Sequence, residues 1–171
     1  MVISTNTLFT EYDNRPITYS DDVNDLQMFS RLNIGDILYT QNFLKTARYN
    51  QTDIRKYFSG KEQLFTKHIV VDKALVLYDF GKEEYLANTA IVVKNEDNSE
   101  SLFYPIELLT KEELFKNIDR ALSMHIEGFE RQLFRNQKNT HLIEYKNAKN
   151  AKRALDMLKL LKQNLPKLLI Y

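Results

Sequence analysis

The hydrophobic period of this chain changes near Thr110, and few folds satisfy both halves. Between Leu64 and Ile106 the apolar residues come in short runs, Phe65 to Val71, Ala74 to Phe80, Thr89 to Val93 and Leu102 to Ile106. These runs are rich in Val, Ile, Phe and Tyr, and the polar stretch Asn95-Glu96-Asp97-Asn98 separates the last two, the pattern of antiparallel strands joined by turns. After Thr110 the repeat is helical. Leu114, Ile118, Ala121, Leu122, His125, Ile126, Phe129 and Leu133 hold one face apolar for about six turns. A second helix is expected from about 147 to 164, with Ala151, Ala154, Leu155, Leu158, Leu161 and Leu165 on one face. Thr110-Lys111-Glu112-Glu113 fits a capping box for the first of these helices, and Pro166 is expected to stop the second.

The fold class that follows is α+β: a small, mainly antiparallel sheet or SH3-like barrel, followed by a C-terminal antiparallel helical hairpin. The 171 residues are read as a single domain with three parts: an N-terminal segment over 1–33, a β-rich core over 34–109 and the hairpin over 110–171. In the first part, Asp21 and Asp22 offer caps for a short helix over 22–32, and Val2, Ile3, Leu8 and Phe9 suggest a short edge strand. Ile34-Gly35-Asp36-Ile37-Leu38-Tyr39 reads as a turn feeding a strand. A further short helix is expected over 46–60, ending at Gly60.

The composition removes several chemistries. Without cysteine there is no disulfide framework, thiolate metal site or thiol nucleophile, and a reducing, cytoplasmic setting is expected. Gly35, Gly60, Gly81 and Gly128 lie too far apart for a dinucleotide fingerprint or a phosphate loop. No serine stands in a Gly-x-Ser-x-Gly elbow. His68, His125 and His141 include no pair at the spacing of a zinc protease helix. His141 with Glu144 supplies two ligands only, so neither metal nor cofactor is expected. His125 shares the apolar face of the first long helix and reads as structural. No apolar run approaches the roughly 18 residues of a membrane span, so no membrane partner is expected.

The charge is unevenly spread. Residues 1–110 hold 11 basic and 16 acidic side chains, whereas residues 111–171 hold 13 and 7, giving nets of −5 and +6. Lys149, Lys152, Arg153 and Lys159 fall opposite or beside the Ala/Leu stripe of the last helix, which makes its outer face cationic. No aromatic residue lies between Lys146 and Lys167 to stack on a base. A second basic group, Arg48-Tyr49 and Arg55-Lys56, interleaves cations with rings, and His68 adds a titratable nitrogen. With catalytic motifs absent, the leading expectation is a non-enzymatic protein-binding module, of the inhibitor or adaptor kind that mobile genetic elements encode, with an unknown protein partner. The second is a nucleic-acid-binding protein using the basic C-terminal helix. The third is a metal-independent nuclease using Arg48, Tyr49, Arg55, Lys56 and His68.

Overall fold

The computed structural model describes residues 1–42, 63–79, 81, 83–136 and 142–168. The chain divides into two compact units, Met1–Thr40 with Thr66–Thr110, and Gln41–Phe65 with Lys111–Tyr171.

The spine of the first unit is one long antiparallel hairpin. Strand β5 (Phe65–Asp79) pairs with β6 (Tyr85–Lys94) from Ile69 opposite Lys94 to Asp79 opposite Tyr85. Each edge of this hairpin carries two short strands. On β5 lie β1 (Val2–Ser4), antiparallel with Val2 opposite Val76, and β4 (Ile37–Gln41). On β6 lie β7 (Glu100–Phe103), antiparallel, and β3 (Arg15–Tyr19), the parallel member, which in turn pairs with β2 (Glu11–Tyr12). After β7 a short 3₁₀ turn (Pro105–Glu107) returns the chain so that Leu109 exchanges two 2.8 Å backbone hydrogen bonds with Tyr39 of β4. The result is a curled, mostly antiparallel sheet of half-barrel form, the α+β class expected.

Two runs expected as separate strands, Phe65 to Val71 and Ala74 to Phe80, fall on the single strand β5 as far as Asp79. The polar pair between them, Asp72-Lys73, does not break the strand, because a bulge between Val70 and Asp72 gives each side chain a partner. Asp72 accepts from Ser4 Oγ at 2.5 Å and from the amide of Lys73 at 2.8 Å. Lys73 turns into the core. Its Nζ donates to the carbonyl of Phe29 at 2.7 Å and lies 4.7 Å from the centre of that ring. That carbonyl belongs to the last turn of helix α1 (Val23–Arg31), where carbonyls lack helical partners and the helix dipole favours a cation. Burial nonetheless pushes the Lys73 ammonium below the ordinary lysine range, with Asp36 opposing the shift.

Helix α1 forms where the sequence signals it. Asp22 is the N-cap and accepts from the Asp25 amide at 2.8 Å. Its inner face sets Phe29 and, just past its end, Leu32 against Leu75, Leu77, Ile91 and Val93 of the sheet. Phe29 is completely buried, which contributes roughly 1.5–3 kcal/mol relative to exposure. Just before the cap, Asp21 accepts hydrogen bonds from the amide and the hydroxyl of Thr89 in β6. Thr89 lies between the stretches of β6 paired by β3 and by β7, so the carboxylate stands where a strand neighbour would otherwise bond.

In the second unit, helices α2 (Lys111–Asn136) and α3 (Leu142–Leu168) pack together. Lys162 Nζ donates to Ser123 Oγ at 2.7 Å and Lys159 pairs with Glu130 at 3.3 Å. Contacts advancing along α3 thus retreat along α2, as an antiparallel pair requires. Leu114, Ile118 and Leu122 are buried on α2, and Ala154, Leu155, Leu158, Leu161 and Leu165 on α3. His125 is half-buried on α2. The last helix is longer than its apolar stripe: it begins at Leu142 and passes through Pro166 to Leu168. Proline there removes a single helical hydrogen bond near an end, and its fixed φ is already helical, so the helix is not stopped. The helix expected over 46–60 lies outside the described residues.

Candidate interaction surface

The outer face of α3 is built by periodicity. With Leu158 and Leu165 fully buried, the opposite side of the wheel presents Lys152, Arg153, Asp156, Lys159, Leu160 and Lys167, all exposed. Arg153 and Lys167 lie seven residues before and after Leu160, on nearly one line along the helix. Asp156 is the only carboxylate among these positions. Lys159 is partly committed, since it bonds Glu130 of α2 while keeping 54% of its side chain exposed. Beside Glu130, a surface hollow of about 510 Å³ is lined by Glu127, Glu130, Arg131 and the exposed ring of Phe134. Of the four cations expected on this face, Lys152, Arg153 and Lys159 are therefore placed together. Lys149 belongs to α3, but its side chain lies outside the described ones.

The second expected group does not come together as a described site. Arg48, Tyr49, Arg55 and Lys56 lie outside the described residues, as does His141. His68 is only 3% exposed, on the inner side of β5. Its Nδ1 is 2.7 Å from Asn95 Oδ1, and its Nε2 is 2.8 Å from Thr40 Oγ1. Asn95 spends its amide hydrogens on Ser99 Oγ at 3.0 Å and Ser101 Oγ at 2.8 Å. Its oxygen is thus left to accept, so Nδ1 of His68 carries a proton and the Thr40 hydroxyl donates to Nε2. Phe103 covers the imidazole at 5.1 Å between ring centres. The imidazole is thus held in a buried hydrogen-bonded network between β4 and the end of β6, beneath Phe103.

A third surface was missed in the sequence, where Leu102 to Ile106 reads as one more strand of the sheet. In the structure β7 ends at Phe103. Tyr104 and Ile106 then turn outward with Leu102 and with Tyr78 of β5, all exposed. The Tyr78 and Tyr104 hydroxyls stand 3.4 Å apart, and Glu107 accepts from the Tyr104 amide at 2.8 Å. The hydrogen bond to Tyr78 holds the Tyr104 phenol above its usual range. The available signal was Pro105, which cannot continue a ladder.

Among the described residues no cluster of three or more His, Asp or Glu is placed to hold a metal ion, and no helix is long and apolar enough to cross a membrane. No family model, curated protein or solved structure matches the chain.

Proposed function

We infer that the protein is a non-catalytic binding protein, an inhibitor or adaptor, whose α3 face takes an acidic protein partner. Leu160 carries this reading: it is 53% exposed amid Arg153, Lys159 and Lys167. An exposed aliphatic side chain on a face that carries cations one turn or more to either side fits an apolar pocket with carboxylates at its rim, where the anchor supplies affinity and the charges supply encounter rate and register. A phosphate backbone would engage the cations and leave Leu160 in water.

The test is capture from lysate by the wild type and by a Lys152→Glu, Arg153→Glu, Lys159→Glu variant, each with and without nuclease treatment. The expected result is one stoichiometric acidic protein, retained after nuclease and lost with the variant. Nuclease-sensitive capture, or a sub-micromolar nucleic-acid complex at about 150 mM salt where charges are screened beyond about 8 Å, would overturn the reading in favour of phosphate contact.

A further inference from the structure

The chain carries a second exposed surface whose chemistry is the complement of the first. Tyr78 and Tyr104 meet at their hydroxyls, 3.4 Å apart, and Leu102 and Ile106, two residues to either side of Tyr104, are also exposed, Ile106 by 70%, which gives an apolar and aromatic patch along Leu102 to Ile106. Two exposed carboxylates border it. Glu107 is fixed beside Tyr104 by its 2.8 Å hydrogen bond. Glu84 is fixed by the Thr18 hydroxyl at 3.0 Å, and Thr18 lies opposite Leu86, which lies opposite Tyr78. Tyrosine-rich apolar patches with a polar rim have the composition of interface hot spots, and tyrosine faces also attract cations. The whole unit around the patch is acidic, with 6 basic and 14 acidic side chains, whereas the unit bearing α3 has 18 and 9.

We propose that the occupant of this patch is the α3 face of a second copy of the chain, with Leu160 seated against Tyr78 and Tyr104 while Arg153 and Lys167 meet Glu84 and Glu107. The proposal rests on the reading of α3 as a protein-binding face, and names one partner for it. Since the two surfaces differ, the contact is heterologous: each copy offers one of each, and association proceeds beyond dimers unless a ring closes. Copies bound in this way hold α3 covered and release it on dilution or in salt.

Sedimentation velocity on the full chain over a wide concentration range tests this. At about 0.1 M salt, where screening begins near 10 Å, the weight-average mass rises with concentration; at about 1 M, where it begins near 3 Å, the association constant falls at least tenfold. A wild type that stays monomeric throughout at the lower salt overturns the proposal without any variant. Two variants with exposed substitutions locate the contact. Leu102→Lys with Ile106→Lys spoils the patch, and Lys152→Glu with Arg153→Glu spoils the helix face. Each alone sediments as a monomer, and their equimolar mixture forms a dimer that grows no further, because only one complementary pair of faces remains. Association unchanged in either variant, or a monomeric mixture, overturns it. If the wild type is monomeric yet the Lys152→Glu, Arg153→Glu chain loses a captured acidic protein, the self-association fails while the binding role of α3 stands.

Discussion

Replacing Asp21 by Ala tests how the sheet tolerates the interval in β6 between its two short neighbours. Thr89 is completely buried, and both its amide and its hydroxyl bond the Asp21 carboxylate, the amide at 3.1 Å from each oxygen. β3 pairs β6 at Tyr85 to Ala87 and β7 pairs it at Ile91 to Lys94, so no strand partner stands at Thr89 to replace the lost acceptor. Two buried donors are left without a partner, each costing about 1–3 kcal/mol. With some water entry the loss should be about 3 kcal/mol, or a drop in Tm of about 6–12 °C at 2–4 °C per kcal/mol for a chain of this size. Urea unfolding followed by circular dichroism and by tyrosine fluorescence measures it, the chain having no tryptophan. Thr89→Val removes only the hydroxyl, and the double variant should show a coupling of about 1.5 kcal/mol. An Asp21→Ala loss below about 0.5 kcal/mol, the range of ordinary surface changes, would refute the idea that this carboxylate substitutes for a strand.

Lys73→Met should flatten the alkaline side of the stability profile. Burial lowers the native lysine below its unfolded value, so the unfolded chain holds more protons between the two; wild-type stability therefore rises with pH through that window, and urea midpoints that differ from the variant's by a constant amount would contradict this. Asn95→Ala should cost about 1–3 kcal/mol by leaving the buried Nδ1 proton of His68 without an acceptor, and nitrogen-15 spectra of the wild-type imidazole at neutral pH should show Nδ1 as the protonated site. Pro166→Ala restores a backbone donor near the end of α3 and should raise stability by up to about 1 kcal/mol; a fall in the melting temperature would mean that the ring makes contacts worth more than the hydrogen bond.

The parts of the fold legible in the sequence were those set by local rules. The cap at Asp22, the apolar stripes of α2 and α3, and the change of period at Thr110 depend on neighbours within a few residues, and each has its counterpart in the structure. Pairings over long separations were not legible. Asp72-Lys73 falls between two apolar runs in the sequence. It becomes part of a fifteen-residue strand because Ser4 and the Phe29 carbonyl, each more than 40 residues away, meet its polar groups. Leu102 to Ile106 looks like one strand because composition records which residues are apolar, whereas the exit of Tyr104 and Ile106 depends on where β7 stops. His68 belongs to the same class. Only the register among β4, β5 and the end of β6 sets Thr40 and Asn95 on its two nitrogens.

The charge pattern shows how a sequence feature can sharpen once topology is known. Cutting the chain at Thr110 gives nets of −5 and +6, a contrast that depends on where the cut is made. The structure assigns Gln41–Phe65 to the same unit as the two long helices, and this stretch carries Lys45, Arg48, Arg55, Lys56 and Lys61 against Asp53 and Glu62. The nets become −8 for the unit built on the sheet and +9 for the unit built on α2 and α3. Charge separation that increases when the cut follows compact units is a property of surfaces, because nearly all of these side chains must remain in water. Self-repulsion within each unit opposes folding, and it is relieved when an oppositely charged surface is bound. Stability measured against salt therefore separates two cases. If the like charges of each unit have no bound counterpart, moderate salt should raise the melting temperature by screening repulsion. If the opposite charges are already engaged by a second copy, the same salt should lower it, more so at low protein concentration, as mass action requires.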